Sequence, residues 1–315
     1  MTSAAQAVPH HTLQESPNSR SIEINDWLIT ASTNPISNSG ECDALQSKLG
    51  FPLPEMPFGN NYLSLEHRSS GWKYAFSTSE ALQCVKNGEL TAGDGGVKVG
   101  YADAWLKSRT DPGSAMPMPK TAPTKPYDWT YTTTYAGHPS GGDSLEPSDE
   151  PDSWPWAPAD SENLSHHIPM AELTRPDPIL FYAEIPLFED ELHDNGSSSL
   201  LVRIRVMPTC IFVLSRFTLR VDNVLFRTHD TRVYHSLLSN PPLVVRQISG
   251  WEAPYDRVKA QLSRRDDLTP LTDPGFVAKI LSEMPAQRSQ VEGALTGWRG
   301  LGTKMEVLTL GKSLS

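Results

Sequence analysis

The chain has 315 residues, of which 38% are hydrophobic, and its 27 basic against 37 acidic side chains give a formal net charge of -10. Such a balance leaves no basic field to hold DNA or RNA, so a nucleic-acid partner is not expected. Cys42, Cys84 and Cys210 are an odd number with no CxxC pair, which fits a reducing compartment such as the cytosol better than a disulfide framework. No basic segment followed by an apolar run opens the chain, and the longest apolar stretch, residues 211 to 219, is broken by Ser215, Arg216 and Thr218. A soluble protein with no membrane span is expected.

Residues 1 to 20 are polar without periodicity and read as a disordered tail. Ile22, Ile24, Trp27 and Ile29 then predict one strand with an irregularity at Asn25-Asp26. A short helix over residues 41 to 49 ends at Gly50, because Pro52 and Pro54 prevent its continuation. Alternation over residues 61 to 66 and 72 to 76, with Ser69-Ser70-Gly71 between them, predicts a hairpin. A helix from Ser77 to Val85 follows, with Ser77 and Glu80 as a capping box and Cys84 on its apolar side.

Gly93 to Gly96 lacks the spacing of a phosphate loop and precedes a short strand at residues 97 to 99 and a helix near 101 to 108. Tyr127, Trp129, Tyr131 and Tyr135 fall on one face of a further strand, which is core or a peptide-binding surface. The stretch from 138 to 165 holds seven acids and no Lys or Arg and reads as a disordered surface insert. Residues 179 to 235 predict an antiparallel meander that turns at Asp222-Asn223. Arg203, Arg205, Arg216, Arg220 and Arg227 are placed on the face opposite its apolar side chains. They either bind an anionic partner or pair with local acids while their stems cover apolar surface. A last helix has Asp273 as N-cap, Pro274 at its first position and an end before Pro285. The final 30 residues carry no clear pattern.

Glu189, Asp190, Glu191, His193 and Asp194 crowd one short acidic block, and oxygen and imidazole groups this close could serve a hard cation or zinc. The spacing matches neither the zinc helix motif nor a calcium loop. The block therefore reads as a strand end running into the Asn195-Gly196 turn, with its acids as counter-charges for nearby arginines. No G-x-S-x-G elbow is present, and His229 and His235 around Asp230-Thr231-Arg232 are a conceivable acid/base pair or plain polar residues at a strand end. No cofactor or metal is expected; a metal-dependent hydrolase using Glu189, Glu191 and His193 is the alternative to a binding protein.

Six blocks together carry a resemblance. They are Leu53 to Asn61 (LPEMPFGNN), Ala81 to Val85 (ALQCV), Lys125 to Thr132 (KPYDWTYT), Leu187 to Asp194 (LFEDELHD), Arg205 to Pro208 (RVMP) and Asp230 to His235 (DTRVYH). In this order they resemble the TOR signalling pathway regulator-like (TIPRL, Tip-forty-one-like) family over residues 22 to 240, with the acidic insert as a fungal-type addition. The resemblance implies an α+β fold, a two-layer, sandwich-like antiparallel β core flanked by several helices, forming one domain over residues 21 to 285. It also implies a non-enzymatic, monomeric regulator in the TOR pathway, cytoplasmic and able to enter the nucleus. Such a regulator binds the catalytic subunits of type 2A, 4 and 6 protein phosphatases and has a groove for the phosphatase C-terminal tail. Carried over position by position, the partner-binding residues are Glu80, Ile168, Thr228, Asp230 and Arg232; the family commonly has Met where Thr228 stands.

Overall fold

A computed structural model describes residues 8–50, 52–85, 133–140, 154–174, 176–192, 196–284 and 302–311. Its strands are β1 (His11–Glu15), β2 (Ser19–Ile24), β3 (Trp27–Ser32), β4 (Met56–Pro57), β5 (Tyr62–His67), β6 (Trp72–Ser77) and β7 (His138–Pro139). They continue with β8 (Ala157–Pro158), β9 (Phe181–Asp190), β10 (Gly196–Met207), β11 (Cys210–Val221), β12 (Leu225–Ser236), β13 (Leu243–Pro254) and β14 (Gly302–Thr309). The helices are α1 (Ser39–Leu49), α2 (Thr78–Gln83), α3 (Met170–Leu173), α4 (Tyr255–Lys259) and α5 (Pro274–Glu283).

Two antiparallel sheets form the α+β core, one of six strands in the order β1-β2-β3-β5-β6-β7 and one of eight in the order β4-β9-β10-β11-β12-β13-β14-β8. Alternation decides which side chains they bury. Ile22, Ile29, Leu63, Leu65, Trp72 and Phe76 of the smaller sheet meet Leu200, Val202, Ile204, Val213, Phe217 and Leu219 of the larger in one apolar layer. Trp27 bridges the layers, its ring centroid 4.7 Å from that of His235. The far face of the larger sheet carries two separate apolar clusters. Ile168 and Leu173 cover Phe212, Tyr234 and Val245 at one end, and α4 and α5 cover Phe226 and Ala253 at the other.

Several expectations hold. α1 is closed by a capping box between Asn38 and Glu41 and ends on left-handed Gly50. β5 and β6 pair as a hairpin, β9 to β12 form the meander, and Asp273 caps α5 by accepting the Gly275 N–H.

Others change. The predicted single strand over residues 21 to 30 is a hairpin, since Asn25 takes φ 50° and folds β3 back onto β2. Residues 11 to 15 of the expected tail pair with β2 through backbone bonds and one exposed ion pair, Arg20 to Glu15, their side chains being almost all exposed. The acidic insert is built in at both ends: His138 and Pro139 extend the small sheet, and Trp154 and Trp156 pack on the core. Within the unpatterned last 30 residues, β14 is an inner strand of the larger sheet. Arg227 leaves the arginine face, because the turn pairs it with inward-facing Leu219 and sends its guanidinium into the sandwich. The expected strand at 97 to 99, the helix near 101 to 108 and the aromatic face from Tyr127 to Tyr131 lie outside the described residues.

Candidate functional site

Register builds a polar belt between the two clusters on the far face of the larger sheet. Arg203, Leu214, Arg232, Gln247 and Met305 form one row across β10 to β14, and Leu201, Arg216, Asp230, Ser249 and Thr303 form the next. At its centre the Asp230 carboxylate has no solvent exposure. Arg216 grips it with two parallel bonds, Nε to Oδ1 at 2.8 Å and Nη2 to Oδ2 at 2.7 Å, the bidentate geometry that makes guanidinium–carboxylate pairs strong. Arg232 donates from Nη2 to the same Oδ2 at 3.0 Å and from Nη1 to Gln247 Oε1 at 2.9 Å. Burial by itself would lower the Arg216 pKa, but the bonds and charge of Asp230, with the charge of Asp273, outweigh it and raise the pKa. Beside this network Thr228 Oγ1 and Ser249 Oγ are buried with no hydrogen-bond partner among the described residues.

Thr228, Asp230 and Arg232 are thus brought together on β12, and Ile168 packs on Tyr234, in the row beyond Arg232. Glu80 is elsewhere. The expected Ser77–Glu80 capping box does not form, for Ser77 makes no side-chain cap bond. Its backbone N–H goes to the Tyr135 hydroxyl at 3.0 Å, and Thr78 Oγ1 donates to the Phe58 carbonyl at 2.7 Å, so core contacts rather than a cap seat this helix. Glu80, 7% exposed, lines a groove of about 430 Å³ with Asn34, Lys48, Asn60, Asn61 and Tyr62. Its carboxylate accepts a 3.5 Å bond from Ser79 Oγ, which itself accepts from Lys48 Nζ at 3.1 Å. Among the described residues no hydrogen bond or ion pair joins Glu80 to the Asp230 network.

The acidic block proves to be a backbone clamp at its described positions. Asp190, 4% exposed, accepts the Glu55 N–H at 3.0 Å and the Leu192 N–H at 2.7 Å. Glu189 and Glu191 are exposed, whereas His193 and Asp194 lie outside the described residues. Among the described residues no group of three His, Cys, Asp or Glu is arranged to hold a metal. The arginine of β10 that meets an acid does so at Glu184, where Arg203 Nε donates at 2.8 Å. His229 and His235 cannot act as a pair: they stand six residues apart on one strand, about 20 Å. Both are buried, and desolvation pushes each pKa down to about 4. Cys84 is exposed rather than in the core, and its pKa is raised, first by desolvation and then by the Glu80 charge, so it is no poised thiolate. Gln247, which completes the Asp230 network, is not among the residues the sequence nominates, and Arg216, nominated there as one of five arginines on an anion-binding or acid-pairing face, pairs with Asp230. The signal for Arg216 was available, because counting back from the Asp222-Asn223 turn places it opposite Asp230.

Fold and site together define a two-sheet α+β protein with a guanidinium-rich surface belt and a separate polar groove. Residues 56–259 match the TIP41-like family. A human TIP41-like protein is 42% identical over 210 residues, covering 66% of this chain and 68% of the relative. The type 2A phosphatase activator TIP41 of Saccharomyces cerevisiae is 36% identical over 281 residues, covering 85% and 72%. The type 2A phosphatase activator tip41 of Schizosaccharomyces pombe is 34% identical over 247 residues, covering 78% and 87%. The chain belongs to the TIP41-like family.

Proposed function

We propose that this protein is a non-enzymatic regulator that binds the catalytic subunits of type 2A-family protein phosphatases, those of types 2A, 4 and 6, and acts in TOR signalling. The observation that carries the reading is the yeast relative called a type 2A phosphatase activator, whose similarity runs over 85% of this chain. Two surfaces support it, the belt around Asp230 and the groove at Glu80. Both are lined by polar groups of the kind a protein partner contacts. On this reading the protein works as a cytoplasmic monomer, and Glu80, Ile168, Thr228, Asp230 and Arg232 contribute to the partner surface, directly or by holding their neighbours. The test is capture of purified type 2A, 4 and 6 catalytic subunits by the wild-type chain and by a Glu80→Lys/Asp230→Asn double variant whose melting matches the wild type. Capture by the wild type and its loss in the variant are expected. Equal capture by both removes these residues from the interface, and no capture by the wild type removes the reading.

A further inference from the structure

Four buried rings meet where the two sheets face each other at one end of the sandwich. Trp27 of β3, His67 of β5 and Trp72 of β6 form one row across the smaller sheet, and His235 of β12 reaches it from the larger. The Trp27 ring centroid lies 5.0 Å from that of His67, 4.7 Å from that of His235 and 5.7 Å from that of Trp72. One indole thus touches an imidazole of each sheet, and none of the four residues is more than 5% exposed. The two imidazoles are held unequally. His67 Nδ1 lies 2.8 Å from Ser70 Oγ, which accepts the Trp72 N–H at 3.2 Å and can turn its own proton to the His67 carbonyl at 3.3 Å. That hydroxyl serves either form of the ring: it donates to a bare Nδ1 or, turned to the carbonyl, accepts from a protonated one. Burial lowers the His67 pKa, while the charge of Asp26 in the β2–β3 turn acts the other way. His235 Nδ1 donates to the Leu243 carbonyl at 2.9 Å, so a second proton has to go on Nε2, which makes no hydrogen bond among the described residues. Burial pushes the His235 pKa down to about 4, and charge on His67 acts in the same direction. Glu66 and Arg68, next to His67 in sequence, alternate to the outer face, where they pair with Lys73 and Glu23. On the larger sheet the cross-strand neighbours of His235 are Ile211 and Val244, which carry no charge.

We propose that Trp27, His67 and His235 form a pH-sensitive latch between the two sheets, closed while both imidazoles are neutral and opened when His67 takes a proton. His67 is the entry point because Ser70 and Asp26 both receive the charged ring, whereas nothing receives a proton on His235 Nε2. A charge in this closed site is poorly solvated, and the way to solvate it is to admit water between the rings. The contact given up is the one through which Trp27 joins the sheets. Acid therefore loosens β3, β5 and the end of β12 while the long β10–β11 pair stays closed, a local opening that precedes global unfolding. The latch does not depend on the phosphatase reading.

The experiment titrates the full chain from neutral pH down to about pH 4.5. Imidazole signals are followed by NMR with ring-labelled histidine, and amide exchange of separate segments by mass spectrometry. His67 should titrate before His235, and exchange in residues 27–32, 62–67 and 233–236 should rise with it while residues 200–206 and 211–217 stay protected. His67→Gln keeps a partner for Ser70 without a titrating proton and should abolish the early opening, leaving only global acid unfolding. Asp26→Asn, a change in an exposed turn, should move the His67 midpoint down by about half a pH unit, and it keeps the test valid if His67→Gln fails to fold. Asp266→Asn, an exposed acid on the far side of the larger sheet, should leave the midpoint where it is. Early opening that persists in His67→Gln, a midpoint unmoved or raised by Asp26→Asn, His235 titrating before His67, or exchange that rises in all segments together overturns the proposal.

Discussion

Replacing Glu252 by Gln strands a charge in the middle of the protein. Arg227 and Glu252 pair directly across β12 and β13, with side-chain exposures of 0% and 1%, and Arg227 Nε donates to Oε2 at 2.8 Å. Desolvation lowers the Arg227 pKa despite the attraction of Glu252, so the guanidinium tolerates this site only because the carboxylate is there. Opposite charges whose centres lie about 4 Å apart attract by about 4 kcal/mol at an effective dielectric constant of about 20. Removing one member of a buried pair costs about 3–5 kcal/mol in measured cases. The Gln amide can still accept one bond, so a loss of about 3 kcal/mol is expected, equivalent to roughly 6–12 °C in melting temperature. The double variant Arg227→Met/Glu252→Leu removes both desolvation penalties and should lie within about 1 kcal/mol of the wild type or above it. Urea denaturation and calorimetry of the wild type, the two single variants and the double variant measure the cycle. If Glu252→Gln loses less than about 1 kcal/mol, or if the double variant is as unstable as the single ones, the pair does not hold the inner layer as argued.

Stability should fall on acidification. His229 and His235 have folded pKa values lowered to about 4, against an ordinary value of 6.5. Between those limits the unfolded chain takes protons that the fold refuses, so the loss begins as pH drops below 6.5 and is complete near pH 4. Each site contributes on the order of 3 kcal/mol over that window. A urea midpoint that stays constant from neutral pH to pH 4.5 would count against it, and His235→Gln should flatten the slope. Asp190→Ala frees the buried Leu192 N–H and the part-buried Glu55 N–H and should cost about 2–3 kcal/mol by denaturant titration, while a stoichiometric metal in the purified wild type would contradict the clamp role. Gly196 has φ 151° and would place a Cβ 1.9 Å from the Arg220 carbonyl oxygen. Gly196→Ala should therefore cost more than about 3 kcal/mol or abolish soluble expression, and a melting temperature like that of the wild type would refute the clash.

Local chemistry made parts of this structure readable in advance. α1, α5, the β5–β6 hairpin and the β9–β12 meander each follow from a cap, a turn residue or alternation of period two within a few residues. β1 left no such trace because an edge strand held by backbone bonds buries almost no side chain. β13 was hidden because Arg246 and Glu252 interrupt its apolar alternation while paired to Glu306 and Arg227. The acidic average of residues 138 to 165 masked Trp156, which packs 3.9 Å from the Arg246 guanidinium.

For the site, the residues of the Asp-Thr-Arg segment were visible by resemblance, but their roles were not. Sequence by itself determined which faces of which strands are apolar, where the chain turns, and that Asp230 and Arg232 stand two apart on one face, because these depend on neighbours along the chain. Only the tertiary structure decided that Asp230 is buried under Arg216 and Arg232, that Glu80 faces a different groove, and that β14 completes the larger sheet. Those facts depend on register and on contacts between residues far apart in the chain. There a single step of register moves every side chain to the opposite face of its sheet.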